Sequence, residues 1–181
     1  VVDLSRNFGH YKAMMTGLAY ASGERMFLID SDLEEDPEYL LTFTDQMERE
    51  RCDVVYGVQE RRRGGLFERW TGRWFYSLFN TLTGLGLPSN ILVARLMTRR
   101  YVEALLRHQE REVFIAGLWH ITGFTQNPQV VKKHSLSETT YSFRKKISVL
   151  VDSVTSFSNL PLIGIFYIGV SISIIALLYI I

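Results

Sequence analysis

Two aspartates one residue apart, Asp30 and Asp32, follow an apolar run in the stretch FLIDSDLEEDPE at residues 27–38. Carboxylates at i and i+2 just past a strand end stand on a turn, where both can be drawn toward one divalent cation. Hard cations such as Mg²⁺ and Mn²⁺ take oxygen ligands, usually one or two carboxylates together with the phosphates of a substrate. The pair therefore reads either as a metal site for a nucleoside diphosphate or as a solvated acidic turn. Upstream, SRNFG at residues 5–9 offers the Arg6 guanidinium, the Asn7 amide and the close backbone approach that Gly9 permits, a set suited to a polar diphosphate. An ion pair with an acidic neighbour is the plainer role for Arg6. Arg61, Arg62 and Arg63, followed by two glycines, form a second cationic element suited to a phosphate. His10, His108, His120 and His134 match no metal-ligand spacing, and the lone Cys52 excludes an intrachain disulfide or a thiolate cluster.

Positioning these groups requires short alternating elements. Apolar spacing predicts helices over residues 11–21, 37–51 (capped near Asp36), 67–82 and 99–107, and strands over 25–29, 53–58 and 91–97. Alternation of this kind implies a parallel α/β sheet, whose ligands bind beyond the carboxyl ends of strands. Asp30 and Asp32 occupy that kind of position. The aromatic face formed by Trp70, Trp74, Phe75, Tyr76 and Phe79 has core packing as its default, with membrane contact or contact with a second copy in a homo-oligomer as alternatives.

A net charge of +1 over 181 residues argues against a nucleic-acid binder held by counterion release. The 47% hydrophobic content is explained at the C-terminus, where residues 160–181 contain no charged side chain. Twenty-two residues at about 1.5 Å each span roughly 33 Å, enough to cross a hydrocarbon core of about 30 Å. Residues 141–157, with Phe143, Ile147, Leu150, Val151 and Val154 at helical spacing and Arg144, Lys145 and Lys146 beside them, suit an amphipathic helix in the membrane interface. The excess of basic residues before the span places the preceding domain in the cytoplasm, under the inner membrane of a cell. The chain begins with Val and ends inside an apolar run, which reads as part of a longer protein.

In order, residues 4–38, DVVYGVQERRR, RLMTRRYVEALL, EREVFIAGL and SETTYSFRKK before a membrane segment resemble the polyprenyl-phosphate glycosyltransferases of family 2, which have the GT-A fold. That branch contains dolichol-phosphate mannosyltransferase and the bacterial undecaprenyl-phosphate sugar transferases. The resemblance implies a GT-A domain with a mixed, Rossmann-like sheet over residues 1–137, lacking its first strands, then a juxtamembrane helix at 138–158 and a transmembrane helix at 159–181. It implies inverting, metal-dependent transfer of a sugar from a UDP- or GDP-linked nucleotide sugar to a polyprenyl phosphate. Asp30, Asp32 and Glu34 would hold Mg²⁺ or Mn²⁺, with Glu34 standing where the family has Gln. Arg6, Asn7, Gly9, Asp30, Asp32 and Lys145 would bind the donor. Arg61, Arg62, Arg63, Tyr141, Ser142 and Arg144 would meet the acceptor phosphate.

Asp32 and Arg95 are assigned to catalysis on the same basis, and Glu110 is the third catalytic candidate. Where the family carries Gly-Asp-Phe-Arg, this chain has Leu92, Val93, Ala94 and Arg95, so Val93 replaces the usual acid. A phosphate monoester is already largely anionic near neutral pH and has less need of a strong base. The cluster Glu110, Arg111, Glu112 is then the remaining source of an acid or base, with a helix-start charge cluster as its alternative. Two other functions stay open: transfer to another lipid-linked or polysaccharide acceptor, and a non-catalytic membrane scaffold that keeps the GT-A fold. The missing Gln-x-x-Arg-Trp motif weighs against polymer extension, and the intact aspartate pair weighs against a scaffold.

Overall fold

The computed structural model describes residues 1–32, 34–59, 66–88, 90–108, 115–132, 151 and 154–180. Helix α1 (His10–Tyr20) starts after Gly9, whose φ of 90° is a conformation that a side chain would strain, and the Gly9 N–H donates to Asn7 Oδ1 at 2.8 Å. Met14 and Leu18, four apart, form its buried stripe. Strand β1 (Arg25–Leu28) follows, and then the acidic turn. Asp36 Oδ1 accepts the Glu38 N–H at 2.9 Å and starts the turn into α2 (Tyr39–Glu50), two residues later than its sequence pattern predicts. Arg51, at φ 51°, ends α2 in a left-handed cap and releases the chain into β2 (Val54–Gln59).

After α3 (Leu66–Thr83) come β3 (Ile91–Thr98) and α4 (Arg99–Leu105). Two further elements, α5 (Ile115–Ile121) and β4 (Gln126–Val131), are absent from the sequence-based expectation. The strand order is β1-β3-β2-β4, with β3 antiparallel to both neighbours and β4 parallel to β2. The expectation of a parallel sheet is therefore corrected to a mixed one, as the family resemblance implied. β1 and β2 do point the same way across the α2 crossover, but β3 lies between them.

Each face of the sheet carries its own core. Met26, Val54 and Met97 meet Leu18 of α1, Tyr101, Val102 and Leu105 of α4, and Leu118 and Trp119 of α5. On the opposite face, Val55, Ala94 and Leu96 pack on Phe43 and Met47 of α2. Asp53 ties β2 to the start of α4: its Oδ1 accepts Thr98 Oγ1–H at 3.1 Å and the Arg100 Nε–H, while its carbonyl accepts the Thr98 N–H at 2.9 Å.

The C-terminal helix α6 (Leu160–Ile180) stands apart from both cores. Residues 160–179 have a mean hydropathy of 2.3 and none of their most apolar window is buried, so α6 is long and apolar enough to cross a membrane. Most of the juxtamembrane segment lies outside the described residues. Its described end docks on the domain: Val154 is buried with Phe79 and Leu87, and the Phe157 ring lies 6.3 Å from that of Phe79. Val151 is exposed, whereas Val154 faces protein. Of the aromatic face on α3, Phe79 is core and Trp74 is exposed.

Candidate functional site

The acidic turn leaves β1 at the end of the sheet where β3 begins. Asp30 is partly buried and Asp32 is exposed. Asp32 Oδ1 accepts the Glu34 N–H at 3.0 Å, a local bond that fixes the turn. An ionised carboxylate has about four lone-pair sites, so this bond leaves capacity for a cation.

Asp30 faces α1, with His10 Nε2 3.2 Å from its Oδ1. His10 is the first residue of α1 and directly follows the SRNFG turn. This contact therefore gathers the Arg6, Asn7 and Gly9 turn and the Asp30, Asp32 turn at one place. The positive end of the α1 dipole lies at the same point, an arrangement suited to an anionic diphosphate. Arg6 does not take the ion-pair role: its guanidinium carbon lies 4.8 Å from the centroid of the Phe8 ring, and no carboxylate pairs with it among the described residues. Sequence reasoning gave His10 no role, because a single histidine on a helix carries no spacing signal.

The donor set fits a divalent ion only in part. No group of three His, Cys, Asp or Glu side chains converges among the described residues, so Glu34 is not assembled with Asp30 and Asp32 into a three-carboxylate cage. Glu34 is instead buried, at 7% exposure. Two carboxylates completed by substrate phosphates remain a sufficient set for Mg²⁺ or Mn²⁺.

The acid missing at Val93 has a counterpart that the sequence did not single out. Glu35 is 1% exposed and its Oε1 accepts the Val93 N–H at 3.2 Å. A carboxylate is thus delivered to the start of β3 from the acidic turn rather than from the strand. Arg95 lies farther along β3, in register with Leu28 and Tyr56, and is 1% exposed. It stacks on Trp119 of α5, the guanidinium carbon 3.0 Å from a ring centroid, and has Tyr101 as a hydrogen-bond partner. Burial pulls its pKa down to about 9, which still leaves it cationic at neutral pH, and burial pushes the Tyr101 hydroxyl up to about 12. The remaining expected site residues, Arg61, Arg62, Arg63, Glu110, Tyr141, Ser142, Arg144 and Lys145, lie outside the described residues.

Residues 1–117 match the family described as glycosyl transferase family 2, and the chain belongs to that family. Among its relatives, a Mycobacterium tuberculosis protein named as a glycosyltransferase is 53% identical over 176 residues, covering 97% of this chain and 52% of that protein. A prophage bactoprenol glucosyl transferase homolog of Escherichia coli K12 is 30% identical over 184 residues, covering 99% of this chain and 60% of the relative. The bactoprenol glucosyl transferase of Shigella phage SfV is 31% identical over the same length, with the same two shares. The chain spans about half the length of the first curated relatives it matches.

Proposed function

We propose that the protein carrying this chain transfers a sugar from a nucleotide sugar to a polyprenyl phosphate at the cytoplasmic face of a membrane, with inversion at the anomeric carbon. The observation that supports this reading is the His10–Asp30 contact, which joins the start of α1, directly after the SRNFG turn, to the aspartate-bearing turn. Membership of family 2, relatives named for bactoprenol glucosyl transfer and a membrane-competent α6 support the choice of donor and acceptor.

In this scheme the Arg6, Asn7 and Gly9 turn and the positive end of α1 bind the donor's diphosphate. His10 holds Asp30 in orientation, and the Glu34 N–H holds Asp32. A divalent cation bound by Asp30, Asp32 and the diphosphate would supply Lewis-acid neutralisation of the leaving group. An oxygen of the acceptor phosphate attacks the anomeric carbon in line. The bond to the nucleoside diphosphate breaks, and that group departs with the electron pair. Basic residues upstream of α6 would keep the domain on the cytoplasmic side.

The test uses the full-length protein in membranes with Mn²⁺ or Mg²⁺, a panel of UDP- and GDP-sugars, and undecaprenyl phosphate. One donor should yield a lipid-linked sugar. Chelation with EDTA should abolish that product, and Asp32→Ala should lower turnover at least 100-fold. Full turnover in the Asp32→Ala protein, or in EDTA, would refute the metal-assisted scheme.

A further inference from the structure

The Arg95 guanidinium is buried, and its Nε and Nη1 have no hydrogen-bond partner among the described residues. A planar cation without its full set of bonds keeps its direction only where packing fixes it. That packing is the Trp119 ring of α5, whose centroid lies 3.0 Å from the guanidinium carbon, with the Tyr56 ring of β2 farther off at 5.9 Å. Arg95 is in register with Leu28, two residues before Asp30, so it stands one row from the acidic turn. The place of Trp119 therefore decides where this charge stands relative to that turn.

Trp119 is held from two sides. Its carbonyl accepts the Tyr101 hydroxyl at 2.9 Å and a Gln126 Nε2–H at 2.7 Å, which ties the end of α5 to α4 and β4. The second hold comes from the segment ahead of α6. Gly117 precedes Trp119 by two residues, about 200° round a helix, so the two face opposite sides of α5. The Phe157 ring fills the Gly117 side: a Cβ built there would lie 2.5, 2.7 and 3.0 Å from three of its carbons. Phe157 is backed by Phe79 of α3, 6.3 Å away between ring centroids, and packs against both the cluster that contains Trp119 and the one that contains Val154. Helix α5 is thus a wedge between the guanidinium and a ring three residues before the start of α6.

We propose that Trp119 and Phe157 are positioning residues for Arg95: the segment ahead of α6, acting through α5, sets the place and plane of the guanidinium beside the acidic turn. Neither ring needs to touch a substrate for this. Close-packed interiors transmit displacement because little free volume absorbs it. With Phe157 seated against Gly117 the Trp119 ring is pressed onto Arg95, and withdrawal of Phe157 leaves α5 free to move away from the sheet. The part of this inference that concerns turnover rests on the transferase reading, whereas the chain of contacts does not.

The experiment uses the full-length protein in nanodiscs with undecaprenyl phosphate, Mn²⁺ and the nucleotide sugar found active in the panel above. Trp119→Leu is expected to lower kcat at least tenfold with the nucleotide-sugar KM within twofold, and Trp119→Phe, which keeps a ring over the guanidinium, to stay within threefold of the unmodified protein. Phe157→Ala should lower kcat at least threefold, and Phe157→Leu, which refills most of the notch at Gly117, less than twofold. Loss of stability alone would produce neither the split nor the rescue. If Trp119→Leu does not fold, the two Phe157 variants decide. A second readout needs no turnover: the Trp119 emission, taken in each background as the difference from its Trp119→Phe counterpart. Arg95→Met should change that emission in the unmodified protein, and less than half as much in Phe157→Ala. If Arg95→Met does not fold, Arg95→Lys takes its place. Absence of product from the unmodified protein would sink the transferase reading alone, and the emission cycle then decides. An equal emission response in both backgrounds, or unchanged kcat in the folded variants, overturns the proposal.

Discussion

Glu35 is the residue on which the acidic turn closes against the sheet. Its carboxylate oxygen takes the Val93 N–H, a donor at the start of β3 that would otherwise face a desolvated edge. Removing one partner of a buried hydrogen bond costs about 1–3 kcal/mol. Glu35→Ala is therefore expected to lower folding free energy by about that amount, while Glu35→Gln, which keeps a carbonyl acceptor, should lose less than half as much. Chemical denaturation of the two variants measures this, and equal losses would show that the charge, not the acceptor, matters. The sequence hid this role for a physical reason. Within a run of Glu34, Glu35 and Asp36 each acid has the same local chemistry, and burial is decided by β3, some sixty residues later. Asp30 and Asp32 could be proposed from the sequence because their spacing beyond a strand is itself local, and Arg6, Asn7 and Gly9 for the same reason.

Among the elements, α5 couples the domain to the segment before α6. A Cβ built on Gly117 would come within 2.5 Å of the Phe157 ring, so Gly117 is the gap into which that ring fits. In an ordinary exposed helix Gly→Ala gains up to about 1 kcal/mol. Here Gly117→Ala is expected to destabilise by about 1–3 kcal/mol through overpacking. In a Phe157→Ala background the same change should become neutral or stabilising. Thermal unfolding of the four proteins closes this cycle, and an unchanged sign in the second background would disprove the contact. Neither α5 nor β4 was legible beforehand. Seven residues in α5 give too few turns for a helical period, and Pro128 argues against a strand unless that strand lies at an edge, as β4 does. The longer α1, α2, α3 and β3 carried enough periods to be read, with ends displaced by one or two residues. Alternation gave the common direction of β1 and β2 but not which strands are neighbours, so the antiparallel β3 between them was implied only by the family resemblance.

At the scale of the molecule, the division into a domain and α6 is set by solvent. Both sheet faces are covered by helices, whereas α6 exposes Leu162, Ile165, Phe166, Ile168 and Leu178 to its surroundings. Such a surface is suited to hydrocarbon. Placing a cation at its centre should cost about 2.5–3.5 kcal/mol of insertion free energy. Val170→Arg is thus expected to move the protein from the floating membrane fraction toward the soluble or aggregated fraction in a density gradient. Retention of the full membrane-bound amount would mean that α6 is not the anchor.

The strand order has a further consequence, for synthesis. β1 and β2 are not neighbours, and both pair with β3. Within residues 1–90 none of the described strands has its sheet partner, so the acidic turn leaves the ribosome before the strand that braces it. Among the described strands, pairing begins when residues 91–98 arrive, closing loops of some tens of residues to β1 and β2. Hydrogen bonds of Arg95 and its neighbours to β1 and β2 then form together, which makes the burial of that cation a late, cooperative event in folding and not a local one.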